Sequence, residues 1–232
     1  MIAVVLAAGL GSRLGEIKQD KPKGFLKLQG LDMSLIERSL EVLKTNGIKK
    51  VIIGVGYKAE CYNKLVKQCL EANFEILVKT NLKFKEMGSA YTLHILRDLI
   101  TEDFLLLESD LLYEERAIGE LLSDKRECLV LLSGETNSGD EVFVKLREGE
   151  IEQISKELPK KESDGELVGI SKISLQVFKD LDLLNYEHYE SSFVGLNAKI
   201  IEDLIWCEID DISHLKRAEN IILPKILRKE RM

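Results

Sequence analysis

The chain is short of several things, and each shortage excludes a class of protein. It contains three prolines in 232 residues, and no internal repeat, low-complexity tract or long linker interrupts it. No stretch of 18 apolar residues occurs, so no membrane span is expected. The opening MIAVVLAAG has no basic segment before its apolar run and passes straight into glycine-rich sequence. It reads as a core strand rather than a leader, which sets a cytoplasmic expectation. The four cysteines (Cys61, Cys69, Cys128, Cys207) are scattered without a C-x-x-C pair or a histidine at zinc spacing, so reduced thiols are expected. His94, His188 and His214 do not form a set, and no Ser/His/Asp or Cys/His arrangement can be argued. Positive charge is in deficit, 33 Lys+Arg against 40 Asp+Glu for a net charge of −7. Bulk nucleic acid and anionic membrane are therefore poor partners, and any polyanion must meet a local basic cluster.

What is present is an alternation of strand and helix patterns. Ile2–Ala8, Lys50–Gly54, Phe74–Lys79 and Phe104–Glu108 are apolar runs of strand length. Between them, Ser34-Leu-Ile-Glu37 is a capping box opening a helix that Gly47 closes, and Ala59–Ala72 and Ser89–Leu99 read as further helices. This order predicts an α/β fold with an open, mostly parallel mixed sheet and helices on both faces. The second half predicts a hairpin from Val142–Leu146 and Ile151–Ile154, a polar surface loop at Lys160–Glu166 and a helix over Leu175–Leu184. Leu204–Ile209 returns to core-strand composition, and an amphipathic tail helix from His214 to Leu227 is interrupted by Pro224. One domain over 1–232 with a small substrate-side hairpin and helical subregion is the expected organisation.

The most informative segment is Leu6-Ala-Ala8-Gly9-Leu-Gly11-Ser12-Arg13, followed by Lys21-Pro-Lys23-Gly24. Small residues after a buried strand let backbone N–H groups approach a bound phosphate. A dinucleotide fingerprint requires its third glycine one residue earlier, and a Walker A loop requires G-K-[ST], which is absent. The remaining reading is a loop for a triphosphate, with Arg13 and Lys23 as counter-charges; the plain alternative is a flexible turn carrying two solvated cations. Asp110 follows FLLLES and Asp210 follows LIWCEI. Ligands of open α/β sheets sit beyond the carboxyl ends of strands, so both acids can face one crevice and hold Mg2+ there. The plain alternative for each is helix capping.

The ordered combination A-A-G-x-G-x-R and then P-K resembles the signature of the nucleotidyltransferase superfamily that makes nucleotide sugars and CDP-alcohols. The resemblance implies a Rossmann-like nucleotidyltransferase fold in which Leu6, Ala8, Gly9, Gly11 and Ser12 bind the nucleotide. Arg13 and Lys23 would stabilise the triphosphate, and Asp110 and Asp210 would bind Mg2+. It also implies a division into a nucleotide half (1–133), an acceptor subregion (134–203) and a metal-binding strand end with C-terminal helix (204–232). Further stretches, among them PKGFL, GSAYTL, LLLESDLLYE, NSGDEV, DGELVGISK and WCEIDD, resemble the cytidylyltransferase branch. They are similar to choline-phosphate cytidylyltransferases and more so to 2-aminoethylphosphonate cytidylyltransferases. CTP would then be the donor and 2-aminoethylphosphonate the acceptor, with phosphocholine or a sugar 1-phosphate as alternatives and a homodimer as the candidate assembly. Gly56, Tyr57, Gly88 and Ser89 would read base or ribose, and Lys156 matches the lysine that holds the acceptor phosphate. Asp140, Glu141 and the pair Tyr189-Glu190 are the candidates for an ammonium end, where acids suit a primary amine better than choline. Plain surface charge is the alternative for Asp140 and Glu190, as N-capping is for Ser89.

Overall fold

A computed structural model describes residues 1–18, 20–69 and 73–230, with only the backbone described for residues 16–18. Four parallel strands carry the first half: β1 (Ile2–Ala7), β2 (Lys50–Val55), β3 (Glu75–Thr80) and β4 (Phe104–Glu108). Every residue of β1 is buried, as a strand covered on both faces must be. Its alternate residues feed two cores. Ala3, Val5 and Ala7 pack with α1 (Leu35–Thr45), α2 (Ala59–Gln68) and α4 (Arg116–Ser123). Ile2, Val4 and Leu6 pack on the opposite face with α3 (Ser89–Ile95) and α5 (Leu175–Asp180). The expected mixed sheet with helices on both faces is therefore present.

Beyond β4 the sheet continues through β9 (Gly165–Ile173), β6 (Leu129–Ser133) and β10 (Ala198–Ile201), in the order β10-β6-β9-β4-β1-β2-β3. β9 runs antiparallel to both neighbours and also pairs with β7 (Phe143–Arg147), which forms the expected hairpin with β8 (Glu150–Ser155). Three expectations need correction here. The loop at Lys160–Glu166 ends inside β9, and Glu166 is buried because Thr136 binds its carboxylate through both backbone N–H and hydroxyl. Leu204–Ile209 is not a strand of the main sheet; β11 (Trp206–Glu208) pairs antiparallel with the short β5 (Leu111–Tyr113) as a separate ribbon. The helices expected over Ser89–Leu99 and Leu175–Leu184 stop at Ile95 and Asp180, where i→i+3 hydrogen bonds tighten the closing turns. α2 stops at Gln68, and residues 70–72 of that expected helix lie outside the described residues.

The tail begins earlier than expected, with α6 (Ile212–Arg217), passes through a π-turn over Ala218–Ile222 and ends in α7 (Leu223–Lys229). Pro224 sits at the start of α7, the place where a missing N–H is tolerated. These helices bury Leu215, Ile222, Leu223 and Ile226 against Leu14, Leu26 and Ile209, a third core that seats the glycine-rich loop beside the ribbon. No helix among the described residues is long and apolar enough to cross a membrane.

Candidate active site

A cleft of about 580 Å3 opens at the carboxyl ends of β1 and β4, where the glycine-rich loop leaves the sheet. Leu6, Ala8, Gly9, Arg13 and Lys23 line it from the end of β1 and the segment after it, with Gly88 and Ser89 from the start of α3. Asp110 and Asp210 line the same cleft although one hundred residues separate them in the chain. The ribbon makes them neighbours: Glu208 pairs with Leu111, and the Ile209 N–H donates to the Asp110 carbonyl at 3.1 Å.

Lys23 Nζ lies between the two aspartates, 2.7 Å from Asp110 Oδ2 and in contact with Asp210 Oδ1. Burial works against its charge, but Asp110, Asp210 and Glu208 outweigh that and hold its pKa above the usual lysine range. Arg13 reaches Asp210 at 2.8 Å and Asp140 at 2.9 Å. Gly11 lets this happen. Its φ is +59°, and a Cβ there would stand 2.7 Å from Lys23 Cγ, so any other residue would push the lysine out of line. Asp211, next to Asp210, turns away and caps α6 by accepting the Ser213 and His214 N–H groups. Helix capping thus applies to Asp211, while its neighbour faces the cleft.

Two acids that sequence reasoning passed over complete the floor. Glu108, Asp110 and Glu208 place carboxylate oxygens within 4.8 Å of one another. Burial, then Asp110 and Glu190, push the Glu108 carboxyl up to about 8, and burial with neighbouring carboxylates lifts Glu208 well above its usual range. Lining the cleft are five carboxylates (Glu108, Asp110, Glu190, Glu208, Asp210) against Arg13, Lys23 and Lys156. Clustered hard oxygen donors are what Mg2+ takes, and a bound cation would favour the ionised forms of Glu108 and Glu208. The donor set therefore fits the metal. The signal was in the sequence: Glu108-Ser-Asp110 and Glu208-Ile-Asp210 repeat E-x-D at both strand ends.

Other candidates fall elsewhere. Gly56 and Tyr57 lie behind the loop, where the Tyr57 N–H donates to the Ala8 carbonyl and its hydroxyl to Asp20. Gly88, not Ser89, occupies the cap position of α3; the Ser89 hydroxyl accepts the Tyr189 N–H. Ser12 is exposed and, like Gly56 and Tyr57, is not among the lining residues. Of the residues expected to meet an acceptor, Lys156 and Glu190 line the cleft. Asp140 is not free for an ammonium group, because it is ion-paired to both Lys156 and Arg13. Tyr189 is fully buried, its ring against Phe193 and its hydroxyl donating to Glu108 at 2.9 Å, so it shows the cleft no aromatic face. Glu141 accepts the Gly139 N–H and does not line the cleft.

The chain is 28% identical over 95% of its length to a bifunctional IPC transferase and DIPP synthase of Thermococcus kodakarensis. It is 26% identical over 93% of its length to the CTP:phosphoglutamine cytidylyltransferase of Campylobacter jejuni, covering 98% of that protein. It spans about half of the bifunctional relatives, 50% and 53% of two of them. The inositol-1-phosphate CTP transferase from T. maritima shares its fold, with TM-score 0.77 at 22% identity, covering 98% of this chain and 94% of that one. Residues 2–133 match the model of the nucleotidyl transferase family, the stretch that contains the glycine-rich loop, Lys23 and Asp110, and the chain belongs to that family.

Proposed function

We propose that this nucleotidyl transferase joins CMP from CTP to 2-aminoethylphosphonate and releases pyrophosphate. The observation that carries the proposal is one cleft that holds Arg13 and Lys23 beside Asp110 and Asp210, with Lys156 joined to Arg13 through their shared partner Asp140. The names of the CTP-using relatives support CTP as donor. The acceptor end supports a primary amine, since Glu190 lines it and Tyr189 is turned into the core. In this reading residues 1–133 form the nucleotide half, 134–203 the acceptor subregion, and 204–232 bring Asp210 to the metal.

Asp110 and Asp210 would hold Mg2+, with Glu108 and Glu208 adjoining; the metal would supply charge neutralisation at the phosphates. Backbone at Ala8 and Gly9 approaches the nucleotide. Arg13 and Lys23 exchange carboxylate partners for triphosphate oxygens and stabilise the charge that builds on the departing pyrophosphate. Lys156 orients the acceptor's anionic end. An acceptor oxygen forms its bond to the α-phosphorus as the bond to the bridging oxygen breaks, and pyrophosphate leaves with that electron pair. The acceptor oxygen is already ionised, so no general base is required, in keeping with the absence of a base arrangement in the sequence. A donor-by-acceptor matrix read by pyrophosphate release tests this. CTP with 2-aminoethylphosphonate should exceed every other pair, and faster turnover with phosphocholine or a sugar 1-phosphate would overturn the acceptor assignment.

A further inference from the structure

Behind the cleft lies a second, water-sized cavity of about 30 Å3, lined by Asp140, Glu166, Glu208, Trp206 and His214 among others. We propose that it seats the acceptor's ammonium group, an inference that rests on the reading of the cleft as a CTP-dependent site for an aminoalkyl phosphonate. Val142, Leu167, Trp206 and Glu208 line both spaces, so the two share a wall.

The chemistry of the lining selects the guest. None of its lining residues is lysine or arginine. Glu166 is only 3% exposed and receives the Thr136 N–H at 2.6 Å and the Thr136 hydroxyl at 2.9 Å, one donor on each oxygen. In its ionised form, which a bound ammonium favours, each oxygen keeps a further lone pair. His214 is 6% exposed; its Nε2 lies 3.3 Å from the Ser138 carbonyl, and its Nδ1 is buried without a partner. A carbonyl can only accept, so in the neutral ring the proton sits on Nε2 and Nδ1 is an unmet acceptor. Asp140 is already met by Arg13 and Lys156, so the spare acceptors are Glu166, Glu208 and the imidazole lone pair of His214, still a surplus for so small a space. A primary ammonium has three donors, no acceptor, a compensating charge and the size of one water. A trimethylammonium group does not fit that volume.

The cavity is also linked to the seat of the anionic end. Lys156, which would hold the anionic end, is ion-paired to Asp140, and Asp140 lines the cavity. Two methylenes separate the charged ends of 2-aminoethylphosphonate, and Asp140 is the residue that the lysine and the cavity share. Glu190 in the open cleft is the competing seat.

The test compares 2-aminoethylphosphonate with propylphosphonate, its isostere bearing methyl for ammonium, in steady-state kinetics and in calorimetric binding without CTP. Glu166→Gln should raise KM and Kd for the amino acceptor by about 10- to 100-fold, the loss of one hydrogen bond to a charged group. The KM for propylphosphonate and for CTP should stay within about 3-fold, and Glu190→Gln should do less. A melting curve checks that Glu166→Gln folds; should it not, His214→Phe fills the cavity from another wall and must erase the same preference. Equal effects on both acceptors, or none on either, overturn the subsite and leave the cavity to a structural water. Ammonium preference in calorimetry without CTP turnover sinks the functional reading and keeps the subsite, whereas turnover without that preference does the reverse.

Discussion

Replacing Lys23 by methionine keeps the stem that crosses Gly11 and removes the one charge shared by Asp110 and Asp210. At 2.7 Å from Asp110 and an effective dielectric of about 20, that contact alone has a Coulomb energy of about 6 kcal/mol. Desolvation of the ammonium offsets much of it. Breaking a buried pair costs about 3–5 kcal/mol, because the partner carboxylates are left uncompensated. The lysine side chain is 17% exposed and the aspartates 10% and 5%, so solvent relieves part of this, and about 2–3 kcal/mol is the expected loss. For a chain of this size that lowers Tm by roughly 5–10 °C without metal. Mg2+ at millimolar concentration should recover most of the loss, since the vacated aspartates then have a cation again. Catalysis should not recover: removing a preorganised donor to the departing pyrophosphate costs about 10²- to 10³-fold in kcat. Differential scanning fluorimetry across a Mg2+ series and a pyrophosphate-release assay read the two effects separately. Near-normal pyrophosphate release, or a Tm deficit that Mg2+ leaves untouched, would refute the placement of Lys23 over the metal site.

Two further outcomes follow from packing and protonation. Gly24→Ala puts a Cβ 2.9 Å from the Tyr62 hydroxyl and 3.1 Å from the Ser109 carbonyl, so the segment carrying Lys23 must shift. The expected result is about 1–3 kcal/mol of lost stability together with a fall in kcat, checked by urea melts and pyrophosphate release. Burial raises the Glu166 carboxyl from 4.5 to about 7, so the folded state holds a proton that the unfolded chain releases in that interval. Stability should therefore fall as pH rises from about 4.5 to 7, by on the order of 1–3 kcal/mol, and Glu166→Gln should flatten that slope in urea melts taken across the range.

Much of the architecture was legible because it is local. The buried runs at Ile2–Ala7 and Phe104–Glu108 announce strands covered on both faces, and the Ser34–Glu37 capping box starts α1 as the pattern requires. The strand hardest to read was β9. It begins at Gly165 in a polar segment and carries buried Glu166, Ser171 and Lys172, so its hydrophobic pattern is broken by groups that only tertiary partners satisfy. Lys172, for instance, donates to the Asp124 carbonyl, a contact 48 residues away in sequence. The ion pairs of Asp140 are hidden from the sequence for a related reason. Composition marks it as a spare acid, but Arg13 and Lys156 arrive from distant segments and take both its oxygens.

Asp110 and Asp210 show how a right pairing can come from an incomplete geometric argument. Strand-end logic places Asp110 beyond β4, and there it lies. The same logic treats Leu204–Ile209 as another strand of the open sheet, which would put Asp210 at a distance fixed by strand order. What brings Asp210 close is instead the antiparallel ribbon, whose register sets Glu208 opposite Leu111 and ties Ile209 to the Asp110 carbonyl. A ribbon of three residue pairs gains little stability alone. Here the third core clamps it, with Leu112, Cys207 and Ile209 packed under the C-terminal helices that also hold Leu14 of the glycine-rich loop. One apolar cluster therefore positions the glycine-rich loop and the second aspartate together, so truncating Ile222 or Ile226 should disturb the cleft from a distance without touching any group that lines it.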